Sequence, residues 1–238
     1  MCSRFALIKK LTLLQEDLEF ENPDDESEEN KENLPTDNIY SIHYNEKIKR
    51  KTVTRKRWGL LPNIIKDFEQ IKKYSLFNAR SESLEEKPAF RNLLDTNRCL
   101  IPADVFYEFK QEGKTKDKYA FALNSNSIFL MAGLWDRWIN PKTNQETLSC
   151  TILTTNANEI VKPIHEKDRM PVILEKEFYE NWLDPNIKFS DLKFLLKPFP
   201  SQKMKLEKLN KKDKTDLPQK SSKSSHFRRD SEPLLFGS

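Results

Sequence analysis

The chain has 238 residues, of which 37% are hydrophobic and 33% are charged, and this balance fits one folded domain with polar extensions rather than a large multidomain enzyme. Only four glycines occur, so the glycine-rich phosphate loops of dinucleotide-binding and Walker-type proteins cannot be built. Three cysteines without a C-x-x-C pair and three scattered histidines supply neither a disulfide framework nor a metal centre, and we expect no metal and no cofactor.

Charge is distributed unevenly along the chain. Residues 15–38 hold eleven acidic side chains against one lysine, whereas residues 201–230 hold ten basic side chains against four acidic ones. Both segments are poor in apolar residues, so we predict a folded domain over residues 1–200 with a disordered acidic insert at 15–38, followed by a disordered basic tail at 201–238. The rest of the chain is net basic, which fits a nucleic-acid partner, although solubility explains it equally well.

The sequence also bears on location and assembly. No apolar run approaches the length of a membrane span and no signal peptide opens the chain, so we expect an intracellular protein without a membrane partner. Two basic clusters within residues 211–229 are typical of a nuclear import signal or of extra nucleic-acid contacts, and a solvated tail explains them equally well. We therefore expect the nucleus if the source is eukaryotic and the cytoplasm otherwise, and a monomer.

Strand-like runs dominate between the two polar extensions. In chain order they are residues 55–61, 76–80, 98–101, 105–110, 119–123, 128–134 and 149–155. Three helices are predicted: one opening at Pro88, one opening at Asn156 with Glu159 completing a capping box, and one over residues 175–183. This pattern predicts a single α+β domain, built on a curved, largely antiparallel, barrel-like sheet with a few flanking helices.

The second residue is the first candidate for chemistry. If Met1 is removed, Cys2 carries both a thiol and a free α-amine, and an α-amine has a pKa near about 8. Such a 1,2-aminothiol condenses with an aldehyde to an imine, and the sulfur then closes a five-membered thiazolidine in an intramolecular step. Position alone does not distinguish this role from an inert cysteine.

Three further polar residues are candidates whose patterns leave alternatives open. Glu108 lies among aromatic residues, where it either faces solvent or is buried with a raised pKa as a general acid or base. His165 stands in a charged stretch, where an isolated histidine is more often inert than catalytic. Asn78 opens a polar segment that is also typical of a turn followed by a helix cap.

Taken together, eight ordered segments resemble the SRAP family, named for SOS-response-associated peptidase. They are Met1-Cys2-Ser3-Arg4-Phe5, Arg57-Trp58-Gly59-Leu60-Leu61-Pro62, Asn78-Ala79-Arg80-Ser81-Glu82, Lys87-Pro88-Ala89-Phe90, Arg98-Cys99-Leu100-Ile101-Pro102-Ala103-Asp104 with Phe106-Tyr107-Glu108-Phe109, Ala132-Gly133-Leu134-Trp135, Thr151-Ile152-Leu153-Thr154-Thr155 and Asp168-Arg169-Met170-Pro171-Val172-Ile173-Leu174. The resemblance covers most of residues 1–184.

The resemblance implies a protein that shields abasic sites in single-stranded DNA by forming a covalent DNA–protein crosslink. By motif, Cys2 is the nucleophile, Glu108 promotes opening of the sugar ring, His165 is an acid or base for imine chemistry, and Asn78 positions the N-terminus. The implied phosphate contacts are Arg4, Arg80 and Arg169, and the implied apolar or stacking contacts are Trp58 and Phe109. Independently, the basic and aromatic composition of residues 49–58 fits a single-stranded DNA groove.

The sequence departs from the family pattern at four places. Ser3 replaces the usual glycine and adds a side chain beside the nucleophile, and Phe109 replaces the usual tryptophan. The usual Asn-x-Ala-Pro segment is not recognisable in residues 38–45. Two additional residues, Glu166 and Lys167, precede Asp168 and are able to swing His165 away from the site.

Besides a chromatin-associated adapter that works through its tails, two other functions fit parts of the sequence. One is a thiol peptidase using Cys2 and His165, related to the autopeptidase step after which the family is named. The sequence offers no glycine-rich turn for the oxyanion hole that this chemistry needs. The other is a single-stranded nucleic-acid-binding module without catalysis. Crosslinking of an abasic strand distinguishes them, because only the SRAP reaction leaves a covalent product that depends on Cys2.

Overall fold

Strands are the main regular secondary structure in the computed structural model, which describes residues 2–15, 17–21, 32–65, 76–113 and 115–209. Within these residues the strands are β1 (Phe5–Ala6), β2 (Glu32–Asn33), β3 (Asn38–Asn45), β4 (Arg50–Trp58), β5 (Asn78–Arg80), β6 (Arg98–Ala103), β7 (Val105–Glu112), β8 (Thr115–Leu123), β9 (Phe129–Ile139), β10 (Glu146–Asn156), β11 (Arg169–Pro171) and β12 (Met204–Leu209). The α-helices are short: α1 (Pro88–Arg91), α2 (Tyr179–Leu183) and α3 (Phe189–Leu192). Turns of 3-10 helix cover Leu11–Leu14, Ser81–Ser83, Lys176–Phe178, Lys193–Leu195 and Ser201–Lys203.

Five of these strands close into a barrel. Their order is β10, β4, β3, β6 and β9, and β9 pairs back with β10 to complete the ring. Neighbouring strands are antiparallel except β4 and β10, which run parallel with Cys150 opposite Trp58. Past the point where it leaves β4, β10 pairs with β5 and β11, so the polar segments that begin at Asn78 and Arg169 lie against one strand.

A second, five-stranded antiparallel sheet holds the start of the chain. Its order is β12, β8, β7, β1 and β2. The two-residue strand β1 lies between β7 and β2, with Phe5 opposite both Phe106 and Asn33. Because an antiparallel partner runs backwards, the residues just before Phe5 lie beside those just after Phe106, which brings Cys2 near Glu108.

Aromatic and aliphatic side chains pack between the two sheets. Phe106 and Phe121 stack with ring centroids 4.9 Å apart, and Phe5 meets Trp58 edge-on at 5.1 Å. Gly133 on β9 is required by close packing, because a Cβ there would lie 2.8 Å from the Thr151 carbonyl oxygen. The contact between Phe5 and Trp58 therefore holds β1 against the barrel.

The predicted fold class is confirmed, and all seven predicted strands occur with shifted ends. The helix predicted from Asn156 is wrong, because Asn156 ends β10 and the chain then continues in turns. Asn158 rather than Asn156 acts as the local cap: its Oδ1 accepts from the Val161 N–H at 3.1 Å. The helix at Pro88 is confirmed as α1, and residues 175–183 form a 3-10 turn followed by α2.

Both polar extensions are more ordered at their ends than the prediction of disorder allows. In the 15–38 insert, Leu18 and Phe20 are buried, and Glu32 and Asn33 form β2. Residues 201–209 belong to the second sheet, since β12 pairs along β8 and buries Met204. A few buried apolar side chains stabilise these residues, and the average composition of the two segments does not reveal them. Residues 22–31 and 210–238 lie outside the described residues.

Candidate active site

The candidate active site forms where the start of the chain meets β5 and β7. The Asn78 side-chain amide donates to the Cys2 carbonyl oxygen at 2.7 Å, and the Tyr107 N–H donates to the Arg4 carbonyl oxygen at 2.9 Å. Cys2 is fully buried, and its thiol points to the Arg4 carbonyl oxygen at 3.7 Å. A side-chain amide from β5 and a backbone N–H from β7 thus hold the residues Cys2 to Arg4 in place.

Asp104, which the sequence reading did not single out, holds the same segment from its other end. Its carboxylate accepts from the backbone N–H of Ile8 at 2.5 Å and of Lys9 at 2.9 Å, and from the Lys9 ammonium at 2.7 Å. The side chain is almost fully buried. The sequence signal for this role is an aspartate between two strongly apolar strands, because a carboxylate buried there needs hydrogen-bond donors.

Glu108 is a buried carboxyl group facing the end of the chain. Its Oε2 lies 3.7 Å from His165 Nε2, and its Oε1 is buried with no hydrogen-bond partner among the described residues. Burial raises the pKa of Glu108 to about 7, and the positive charges of the amino terminus and Lys116 oppose this rise. Near neutral pH this group is present in both its acid and its carboxylate form, as general acid–base catalysis requires.

His165 is oriented by its own turn. Its Nδ1 accepts from the Arg169 N–H at 3.1 Å, which leaves Nε2 as the protonated nitrogen facing Glu108. Burial, followed by nearby positive charge, lowers the pKa of His165 to about 4, so the ring is neutral at pH 7. The expectation that Glu166 and Lys167 swing His165 away is wrong, because the turn that closes from His165 to Asp168 accommodates them.

The Cys2 thiol stays protonated at neutral pH. Burial raises its pKa, and the negative charge of Glu108 raises it further. A thiol peptidase needs the opposite shift, since its nucleophile is the thiolate.

A cavity of about 330 Å³ opens beside Glu108 and His165. It is lined by Ser3, Glu108, Phe109, Gln111, Lys116, His165, Glu166 and Lys167. The added side chain of Ser3 lies at this cavity, as expected from its place beside the nucleophile. The cavity is large enough for a pentose, and exposed lysines at its edge suit an anionic substrate.

The predicted phosphate-binding arginines differ in their surroundings. Arg80 is exposed at the end of β5. Arg4 is partly exposed and pairs with Glu32 at 3.1 Å. Arg169 is buried and its guanidinium donates to both Glu82 oxygens, at 2.6 and 3.0 Å. As placed here Arg169 fastens β11 to the Glu82 turn, so its expected phosphate contact is not supported.

The two predicted stacking residues also differ. Trp58 is fully buried and donates its indole N–H to the Phe77 carbonyl oxygen at 2.8 Å, so it has no surface on which a base can stack. Its role is to support Phe5 from the barrel, and the expected DNA contact is wrong for this structure. Phe109 is partly exposed beside the cavity, between the Arg4 guanidinium at 5.1 Å and the Lys116 ammonium at 4.9 Å from its ring.

Residues 49–58, predicted to supply a DNA groove, divide between surface and interior, and Lys49, Arg50 and Lys51 at their start line a cavity of about 550 Å³. This segment is the turn before β4 and β4 itself, a barrel strand in which Lys56 is fully buried and Lys51 pairs with Glu180. Its basic residues serve packing and surface ion pairs. The composition of this segment correctly indicates basic residues, but it does not show which of them face the interior and which face solvent.

Comparison with known proteins identifies the family. The chain matches the model for SOS response associated peptidase (SRAP) over residues 1–213. This protein belongs to the SRAP family.

Individual relatives agree with this assignment. The chain is 39% identical over 208 residues to the abasic site processing protein YoqW of Bacillus subtilis (strain 168), covering 86% of this chain and 90% of the relative. It is 34% identical over 149 residues to the abasic site processing protein HMCES of Gallus gallus, covering 54% and 44% of the two chains. The crystal structure of a protein from Bacteroides thetaiotaomicron superposes with a TM-score of 0.80 at 27% identity, covering 88% of this chain and 93% of that one.

The described part of this SRAP protein contains neither a cluster of metal ligands nor a membrane-spanning helix. No three His, Cys, Asp or Glu side chains there come together in a way that would hold a metal ion. No helix in the same ranges is long and apolar enough to cross a membrane.

Proposed function

We propose that this SRAP protein captures abasic sites in single-stranded DNA as a covalent thiazolidine crosslink through Cys2, and so shields them during the DNA damage response. The observation that carries the proposal is that Asn78 holds the Cys2 carbonyl group, while Glu108 and His165 face each other at a cavity that Ser3, the next residue, also lines. The substrate class is supported by the relatives, which are named abasic site processing proteins.

Glu108 opens the sugar ring. The abasic deoxyribose is a closed hemiacetal, and opening needs a proton on the ring oxygen and loss of the hydroxyl proton at C1. A carboxylic acid does both at once, donating from one oxygen and accepting at the other. The buried, unpartnered Oε1 and the pKa of about 7 suit Glu108 to this exchange, which leaves its protonation state unchanged.

Cys2 then forms two bonds to the exposed aldehyde carbon. Once Met1 is removed, the α-amine adds to that carbon and one water leaves, giving an imine. The thiol sulfur adds to the imine carbon while the thiol proton passes to nitrogen, which closes the thiazolidine. Asn78 holds the Cys2 carbonyl group, so amine and thiol are presented together. His165 relays protons beside Glu108 through its Nε2.

The test uses a single-stranded oligonucleotide with one abasic site and a denaturing gel. The wild-type protein should give a shifted band whose mass equals protein without Met1 plus DNA minus one water. Cys2→Ala should abolish the band, whereas Cys99→Ala and Cys150→Ala, which alter the other buried thiols, should retain it.

A retained N-terminal extension should also abolish the band, because it blocks the amine. Binding without any covalent band would instead support a non-catalytic binding module. A band that persists in Cys2→Ala would overturn the proposed mechanism.

A further inference from the structure

The outer face of the second sheet carries cations and aromatic rings beside the cavity. The Lys118 ammonium lies 4.0 Å from the Tyr107 ring, and Phe109 lies between Lys116 and Arg4. Phe109 is opposite Lys118 in the register, so strand alternation places these side chains on one face. Here this set, Arg4, Tyr107, Phe109, Lys116 and Lys118, is called the cationic strip.

Glu32 places a carboxylate inside the cationic strip. One of its oxygens accepts from Arg4 Nη1 at 3.1 Å, and the other is paired with the Lys118 ammonium. A phosphodiester has the same charge and likewise offers two free oxygens. Glu32 thus has the position and chemistry of a phosphate group bound between Arg4 and Lys118.

These ion pairs are weak enough to exchange. All three side chains are partly exposed, at 42% for Arg4, 29% for Glu32 and 25% for Lys118. Ion pairs this accessible to water contribute little to stability, because solvent screens their charges. Glu32 also lies on the two-residue edge strand β2, so its side chain can turn away without breaking a long ladder.

We infer that Arg4 and Lys118 form a phosphate-binding subsite for single-stranded DNA, which Glu32 occupies in the free protein and vacates when the strand binds. The inference rests on the proposed function for its choice of polyanion. Tyr107 and Phe109 give the same strand rings against which bases can stack. Glu32 therefore weakens DNA binding, because an incoming phosphate has to displace its carboxylate from Arg4 and Lys118. An anion that binds these two side chains weakly does not displace it.

The experiment measures the affinity for an intact, fluorescently labelled single strand without an abasic site, by anisotropy across a range of salt concentrations. Glu32→Gln should tighten binding by roughly threefold or more at low salt, because the competing carboxylate is gone. Lys118→Gln should weaken it and reduce the slope of log K against log salt by about 0.7, the value for one phosphate contact on a single strand.

Matched controls carry the same charge changes in the exposed turn between β3 and β4. Glu46→Gln and Lys47→Gln should shift affinity much less than Glu32→Gln and Lys118→Gln. Equal effects of Glu32→Gln and Glu46→Gln, or of the two lysine variants, would overturn the inference, as would a wild-type protein that binds no intact strand. Because this DNA has no aldehyde, failure of the crosslinking test would sink the proposed function without affecting this measurement.

Discussion

Glu108 owes its chemistry to its surroundings rather than to its type. The same residue on the outer face of β7 would be an ordinary solvated carboxylate, whereas here it is buried against His165. Desolvation disfavours the charged form, so the acid survives to about pH 7. The neutral His165 does not reverse this shift, because its own pKa is lowered.

The first prediction concerns the pH dependence of crosslinking. The acid form of Glu108 is lost as the pH rises through about 7, so ring opening should slow above that pH. Glu108→Gln should reduce the single-turnover rate by roughly 100-fold or more and remove this decline. Rates measured from pH 5 to 9 on both proteins check it, and a wild-type decline that persists in Glu108→Gln would contradict the assignment.

Sequence reasoning succeeded at this scale where a motif marked the residue. Cys2, Asn78, Glu108 and His165 were named before their geometry was known, and the structure brings them together; their roles remain predictions. It failed for Trp58 and Arg169, whose types suit DNA but whose side chains are buried. Burial depends on partners far along the chain, such as Glu82 for Arg169, and no local pattern reveals them.

At the scale of elements, one buried guanidinium fastens the helical segment to the barrel. Arg98 on β6 donates only to backbone carbonyl groups, those of Leu94, Asp95, Trp182, Asp184 and Ile187. A planar group with five donors matches this arrangement, whereas the three donors of lysine do not.

The second prediction follows from that geometry. Arg98→Lys should lower the free energy of unfolding by about 2–4 kcal/mol, because buried carbonyl groups lose their donors. Urea denaturation measures this loss. Arg91→Lys, at the exposed end of α1, is the control and should change stability by less than about 0.5 kcal/mol. An Arg98→Lys protein as stable as wild type would show that the contacts are dispensable.

The elements that sequence reasoning missed are short or unusual. β1, β2 and β11 have two or three residues, too few for an alternating pattern to be visible. β3 lies in the closed barrel, where consecutive residues 39–43 are buried and polar Ser41 and His43 point the same way as Ile39. The capping hydrogen bond predicted at Asn156 is made two residues later, where Asn158 accepts from the Val161 N–H within a turn.

For the whole molecule, the boundary of the folded domain lies beyond residue 200. β12 pairs with β8 through six residue pairs, from Met204 opposite Leu123 to Leu209 opposite Lys118. Removing it would leave β8, the strand that carries Lys118, paired only with β7 and exposed along its other edge.

The third prediction tests that boundary with two truncated chains. A chain ending at residue 209 should keep the thermal midpoint of the full protein within a few degrees. A chain ending at residue 200 should unfold at a lower temperature and aggregate, because an unpaired strand edge is exposed. Differential scanning calorimetry with light scattering checks both. Equal midpoints would place β12 outside the cooperative unit.

Burial of Cys2 has a consequence for how the protein matures. Residue 2 is enclosed where β1 meets β7, a contact between positions about a hundred residues apart that cannot form until about half of the domain has been synthesised. Before that moment the emerging end is open to an aminopeptidase; afterwards the peptide bond to be cut adjoins a fully enclosed residue. The proposed nucleophile therefore becomes available only if Met1 is removed before β1 pairs with β7. A chain that folds first keeps its α-amine blocked by Met1.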